Sequence, residues 1–235
     1  MSLEPHIHTA FDNDLEAVQA LVMRMGGLVE KSLLDASEAL DRRDEALAQQ
    51  VRAADRAIDE LDEMIQQDAA RIIALRSPAA TDLRTVLTVM RIASALERSG
   101  DYAKNLAKRS LVLMEMPQIP GASGTIRRMA KLVVQQLSDA LDAYIARDAA
   151  KAWEVRARDQ EIDQMYSGMF RQLLTFMLED PRTITASMHL HFIAKNIERV
   201  GDHATSIAEQ VIYLVEGKMP SEDRPKHDSL STSGQ

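Results

Sequence analysis

The chain carries one long pattern twice. Residues 28–59, LVEKSLLDASEALDRRDEALAQQVRAADRAID, align without a gap to 132–163, LVVQQLSDALDAYIARDAAKAWEVRARDQEID, at an offset of 104. The match pairs Leu28 with Leu132, Arg43-Asp44 with Arg147-Asp148, Asp55 with Asp159, and Asp59 with Asp163. Further on, IASALERSGDYAKNLA (92–107) matches IAKNIERVGDHATSIA (193–208) at an offset of 101. The register slips between them around proline loops, where length changes are tolerated. A period near 100 residues is too long for a solenoid. The expectation is therefore a duplicated unit of several elements.

Prolines show how each unit divides. Pro78, Pro117, Pro120, Pro181 and Pro220 leave the Pro-free blocks 6–77, 79–116, 121–180 and 182–219. Proline costs a helix interior about 3 kcal/mol, so the cuts mark loops. The first and third blocks are too long for single helices. Each contains an Arg-Asp step, Arg43-Asp44 and Arg147-Asp148, where Asp is a good N-cap. Within the blocks the apolar residues follow helical spacing, as in Leu15, Val18, Val22, Met25, Val29 and Leu33, or Leu132, Val133, Leu137, Leu141 and Ile145. No alternating segment calls for a strand. The predicted fold is all-α: two tandem three-helix bundles, six long helices in all, related by internal duplication. The first repeat is expected at 9–116 and the second at 123–217, joined by the loop Met116–Gly124, with a disordered polar tail at 218–235.

Composition excludes several functions. With no Cys, disulfide scaffolds, zinc ribbons and thiol nucleophiles are ruled out. The longest stretch free of Asp, Glu, Lys and Arg is Thr183–Ala194, short of the ~20 residues a membrane helix needs. The start, MSLEPHIHTAFDND, lacks the features of a signal peptide, so a cytoplasmic location is expected. A net charge of −8 argues against nucleic acid, which is bound through clustered Lys and Arg. No phosphate loop, nucleophile elbow or Ser/His/Asp grouping appears, so no enzyme is expected.

Carboxylate placement is more informative. Each copy keeps Asp-x-x-x-Asp in its second helix and Glu-Arg-x-Gly-Asp in its third. One such pair means little, because 36 acids in 235 residues give about five i, i+4 pairs by chance. Hairpin geometry adds weight. In antiparallel helices facing residues have numbers with a constant total. Asp55 with Asp101 and Asp59 with Glu97 both total 156, centred on Pro78. Asp159 with Asp202 and Asp163 with Glu198 both total 361, centred between Asp180 and Pro181. Each hairpin thus brings four carboxylates to one level. Such a cluster requires protonation, arginine partners or a cation. Oxygen-only donors suit Mg, Mn, Ca and iron; a structural zinc cage is disfavoured. The competing reading is neutralisation by Arg52, Arg56, Arg98, Arg156, Arg158 or Arg199, although Arg98 and Arg199 turn about 100° from the preceding Glu. Gly100 and Gly201 sit mid-helix at equivalent places, each costing about 1 kcal/mol against Ala. Close helix approach and room beside the acids are both open readings.

The segments Glu97-Arg98-Ser99-Gly100-Asp101 through Ala107 and Glu198-Arg199-Val200-Gly201-Asp202 through Ala208 resemble the two signature segments of the PhoU family. Phe11-Asp12, Leu15 and Met25-Gly26 resemble its N-terminal helix, and the resemblance covers about residues 6–217. It implies a cytoplasmic, oligomeric protein, expected here as a homodimer, that negatively regulates the phosphate-starvation response and phosphate uptake. Such a protein links the ATPase subunit of a phosphate ABC transporter to a sensor histidine kinase, and it meets the membrane only through these partners. The resemblance also implies divalent or trivalent metal ions (Mg, Mn, Fe or Zn) held by Asp55, Asp59, Glu97 and Asp101, and by Asp159, Asp163, Glu198 and Asp202. Ser99 and Ser206 depart from the family pattern. The alternatives are a carboxylate-bridged metalloenzyme and a purely structural helical adaptor.

Histidines and methionines receive plainer readings. His6 and His8 are read as a solvated H-x-H, and His191 as a packed helix residue two turns before Glu198. His203 is read as facing away from Asp202. No acid is followed three residues later by His, as a di-iron bundle would require. Met23, Met25, Met64, Met90, Met165, Met169 and Met177 are read as adaptable core.

Overall fold

The computed structural model describes residues 4–220, with side chains from Ala10 onward. Its helices are α1 (Glu4–Arg42), α2 (Glu45–Arg76), α3 (Thr81–Met114), α4 (Ala122–Ala146), α5 (Ala149–Glu179) and α6 (Ile184–Glu216). A single 3₁₀ turn, Pro181–Thr183, precedes α6. No strand occurs among the described residues, and no helix there is long and apolar enough to cross a membrane. The duplicated three-helix unit is the observed architecture. His6, His8 and the tail from Ser221 lie outside the described side chains.

The helix breaks follow the Arg-Asp steps. Asp44 Oδ1 accepts from the Leu47 amide at 2.9 Å, and Asp148 Oδ1 accepts from the Lys151 amide at 3.0 Å. Each cap satisfies an otherwise unpaired N–H, worth about 1 kcal/mol. The preceding residues, Arg43 (φ 55) and Arg147 (φ 50), adopt left-handed backbone. That conformation is uncommon outside Gly and Asn, and no sequence rule assigned it to arginine. The guanidinium of Arg43 donates to the carbonyls of Met114 and Met116, fastening the end of α1 to the connector. Asp41 accepts from Ser123 at 2.7 Å and Arg127 at 2.8 Å, tying α1 to the start of α4.

Within each copy all three helices pack on one another, while α1 packs on α4 and α3 on α6 across the duplication. Helices α2 and α5 touch no helix of the other copy and form the outer edges. The hydrophobic core divides by level along the helices. One cluster joins Val22, Met25 and Ile92 of the first copy to Leu137, Tyr144 and Ile207 of the second. The other joins Leu33 and Leu106 to Ile126, Met129, Ile193 and Ile197. Burying a side chain of this size contributes about 1.5–3 kcal/mol, so each copy relies on the other for much of its stabilisation. Met25 and Met169 are buried, and Met23, Met90, Met165 and Met177 pack against the clusters. Met64 departs from its core assignment and is 48% exposed, because its position on α2 faces outward from the edge of the bundle.

Candidate carboxylate clusters and the seam between them

The α2–α3 hairpin gathers the first set of acids. Asp55 is buried, and Lys104 Nζ lies 2.5 Å from its Oδ2 and 3.5 Å from Asp101 Oδ1. Desolvation, followed by repulsion from Asp55, Asp101 and Asp62, raises the Asp59 carboxyl above its ordinary range, with Lys104 opposing. Glu97 is raised by burial and then by Asp101, Asp62 and Asp59, with Arg98 opposing. The four predicted carboxylates therefore sense one another, and Asp62 joins them as a fifth. The bond to Asp55 in turn raises the Lys104 ammonium.

The α5–α6 hairpin repeats the arrangement with different neutralising groups. Lys195 Nζ lies 2.7 Å from both oxygens of Glu198, donating to Oε1, while Oε2 is buried without a hydrogen bond. Burial raises Glu198 and Lys195 lowers it; Asp202 and Asp163 push it further up. Gln136 of α4 reaches across, its Nε2 3.4 Å from Asp159 Oδ1 and 3.0 Å from Thr205 Oγ1.

The proposed arginine partners mostly serve elsewhere. Arg56 pairs with Glu60, Arg158 with Asp139, and Arg156 with Glu209. At Asp55 and Glu198 the neutralising group is lysine. Lys104 stands three residues after Asp101, and Lys195 three before Glu198, a helical spacing that brings the side chains together and was readable in the sequence. Among the described residues no three of His, Asp or Glu already stand in a geometry that could hold a metal ion. The donor chemistry nonetheless fits a hard cation. Oxygen is the only ligand type offered, Asp59 and Glu97 are raised by burial and then by neighbouring acids, and an ammonium already occupies each set.

Gly100 and Gly201 resolve as close-packing positions. A Cβ on Gly100 would lie 3.0 Å from Ile58 Cδ1 and 3.1 Å from its Cγ2. One on Gly201 would meet Ile162 Cδ1 at 3.2 Å, Gln136 Oε1 at 3.3 Å and Asp159 Oδ1 at 3.6 Å. Ile58 and Ile162 are themselves equivalent residues, so both copies use glycine to admit the same isoleucine.

Between the clusters runs the seam of α3 against α6. Arg91 donates to Gln210 at 3.1 Å, Arg199 to the Tyr102 hydroxyl at 3.4 Å, and Arg109 stacks over Phe192 at 4.5 Å. Each of these pairs totals 301 in residue number, so the helices are antiparallel in a fixed register. His203, expected to face away from Asp202, does so by stacking on Tyr102 in this seam. His191 is packed as expected, among the rings of Tyr166, Phe170 and Phe192.

Fold and site together define an all-helical protein of two like halves, each carrying one Glu-Arg-x-Gly-Asp helix and one carboxylate cluster. The PhoU domain matches residues 22–110 and 126–211. A phosphate-specific transport system accessory protein PhoU homolog of Caulobacter vibrioides is 46% identical over 226 residues, covering 96% of this chain and 98% of its own length. The protein of the same description in Rhizobium meliloti is 44% identical and is covered over 97% of each chain. The crystal structure of PhoU from Pseudomonas aeruginosa superposes with a TM-score of 0.85 at 40% identity, covering 88% of this chain and all of that one. The phosphate transport system regulatory protein PhoU from Streptococcus pneumoniae gives 0.83 at 29% identity, covering 90% and 99%. This chain belongs to the PhoU family.

Proposed function

We propose that the protein is a cytoplasmic accessory regulator of a phosphate-specific transport system, acting as an adaptor and not as an enzyme. In this reading it restrains phosphate uptake and the phosphate-starvation response by linking the transporter's ATPase subunit to a sensor histidine kinase. It reaches the membrane through those partners alone, and it works as a homodimer. Relatives matched over nearly their whole length support the transport role, since they are described as accessory or regulatory proteins of phosphate transport. The observation that carries the adaptor reading is the paired carboxylate clusters on the two sides of one seam. A cavity of about 380 Å³ lies at the connector, lined by Leu40, Arg43, Leu113, Ile119 and Leu190.

A divalent or trivalent cation would be held by Asp55, Asp59, Glu97 and Asp101, and by Asp159, Asp163, Glu198 and Asp202. When bound it would relieve the mutual repulsion of these acids. For that, Lys104 and Lys195 must withdraw their ammonium groups. Affinity purification from phosphate-replete cells tests the adaptor role. The ATPase subunit and the kinase should co-purify with the protein; finding neither would refute this reading.

A further inference from the structure

The register of the seam has a geometric consequence. Facing residues total 301, and residues equivalent under the duplication differ by 101. Gly100 and Gly201 are therefore level with one another, and a local twofold axis crosses the seam at that height. Around the centre the side chains obey the symmetry, since Arg98 is equivalent to Arg199 and Tyr102 to His203. Toward the ends they do not. Arg91 is equivalent to Phe192 and Leu87 to Met188, while Phe192 faces Arg109 and Gln210 faces Arg91. Backbone symmetry thus carries unlike side chains at its two ends.

One end and the centre of the seam are basic. Arg84, Arg91 and Arg98 recur every seven residues, drifting only about 20° around the helix per step. Arg84 lies over the Tyr213 ring, and Arg91 and Arg199 contact neutral groups. These contacts leave the charges available to a partner. Arg91, Arg98 and Arg199 are exposed on a chain of net charge −8. Toward the other end Val112 is 40% exposed, Met188 39% and Phe192 43%, with Arg109 stacked over Phe192, while Leu87 is 42% exposed beside Arg91 and Arg84. The acid clusters flank the strip on both sides.

We infer that the α3–α6 seam docks a single helix of a protein partner, with carboxylates on Arg91, Arg98 and Arg199 and apolar anchors against Val112, Met188 and Phe192. Charge complementarity selects an acidic helix, and the exposed apolar residues supply the helix-in-groove anchors. A second copy of this chain does not fit, because an isologous contact sets equal patches against each other and would bring Arg98 and Arg199 onto their own copies. A continuous polyanion does not fit either, since Leu87, Val112, Met188 and Phe192 interrupt the arginines with exposed apolar surface. The inference deepens the adaptor reading and rests on it.

The test uses the full chain and a fluorescent synthetic 21-residue helical peptide that bears glutamate and leucine in alternation along one face. Fluorescence anisotropy should show binding that weakens at least tenfold in Arg91→Glu/Arg98→Glu/Arg199→Glu. It should also weaken several-fold in Met188→Ala/Phe192→Ala, and be unchanged in the α2 and α5 control Arg52→Glu/Arg71→Glu/Arg171→Glu. Alanine versions at the three arginines serve if charge reversal disturbs helicity. No peptide binding, equal loss in the control, or binding of anionic vesicles or poly(U) through the same arginines in place of the peptide would overturn the inference. If the seam variant still co-purifies with ATPase subunit and kinase, the seam assignment fails while the adaptor reading stands. If the peptide binds as expected but neither partner co-purifies with the wild type, the adaptor reading fails and the seam remains.

Discussion

Tyr102 and His203 stack with ring centroids 5.8 Å apart and planes 18° from parallel, and each follows the aspartate of its own copy's Glu-Arg-x-Gly-Asp motif. Equivalent side chains therefore meet at the centre of the molecule. The duplication is a contact between the two copies as well as a resemblance. The same relationship places one carboxylate cluster on either side of the seam, which two separately packed bundles would not do.

The two motif glycines should differ in their tolerance of alanine. At Gly100 both Cγ2 and Cδ1 of Ile58 stand in the way, so turning one torsion does not clear the space. Overpacking of about 1–3 kcal/mol should exceed the gain of about 1 kcal/mol in helix propensity. At Gly201 only the flexible tip of Ile162 and an amide oxygen are close. Chemical denaturation should show Gly100→Ala destabilised by about 1–2 kcal/mol and Gly201→Ala within about 1 kcal/mol of wild type.

Because both core clusters draw on both copies, the first repeat alone should not form a native monomer. A fragment of residues 1–116 would expose the faces of α1 and α3 that α4 and α6 cover. It should self-associate in size-exclusion chromatography and lack a cooperative thermal transition. A monomeric, cooperatively folding fragment would contradict this description of the core.

His191 should make stability fall on mild acidification. Burial, and then Lys195 on its own helix, lower its pKa, and its Nδ1 is buried without a hydrogen bond. From α5 it faces the rings of Tyr166 and Phe170. A histidine whose folded pKa is depressed contributes its stability above the ordinary value of about 6.5. That contribution is lost as pH falls through the folded pKa, because the unfolded chain then binds the extra proton. Between pH 7.5 and 5.5 the wild type should lose more unfolding free energy than His191→Phe; parallel losses would contradict the assignment.

Lys104 should compete with added cations. Its ammonium lies on Asp55 and reaches Asp101. Removing it in Lys104→Met leaves a buried carboxylate without its partner, which favours another cation. Titration calorimetry with Mn²⁺ should show tighter binding in the variant, by about tenfold or 1.4 kcal/mol. The quadruple variant Asp59→Asn/Glu97→Gln/Asp163→Asn/Glu198→Gln should bind less than either. Identical isotherms in all three would remove the acids from any metal role.

The helices and their breaks were legible because Pro, Arg-Asp caps and apolar spacing act locally. The carboxylate sets were legible because antiparallel pairing turns sequence number into height along a hairpin. What escaped was nonlocal or small in energy. Arg43 and Arg147 in left-handed backbone have no signature, since tertiary bonds such as those from Arg43 to the connector offset the strain. Lys104 and Lys195 fell at opposite ends of the two motifs, so a comparison of copies passed over them. Division of the core by level, and the seam itself, depend on which faces of the two copies meet, and periodicity within one helix does not contain that information.

Regulation should depend on the two carboxylate clusters. A starvation-promoter reporter can be measured in phosphate-replete cells that carry the quadruple carboxylate variant as their only copy. With the variant folded to wild-type helicity and abundance, the reporter should be derepressed. A reporter held as low as with the wild type would exclude a regulatory role for the clusters.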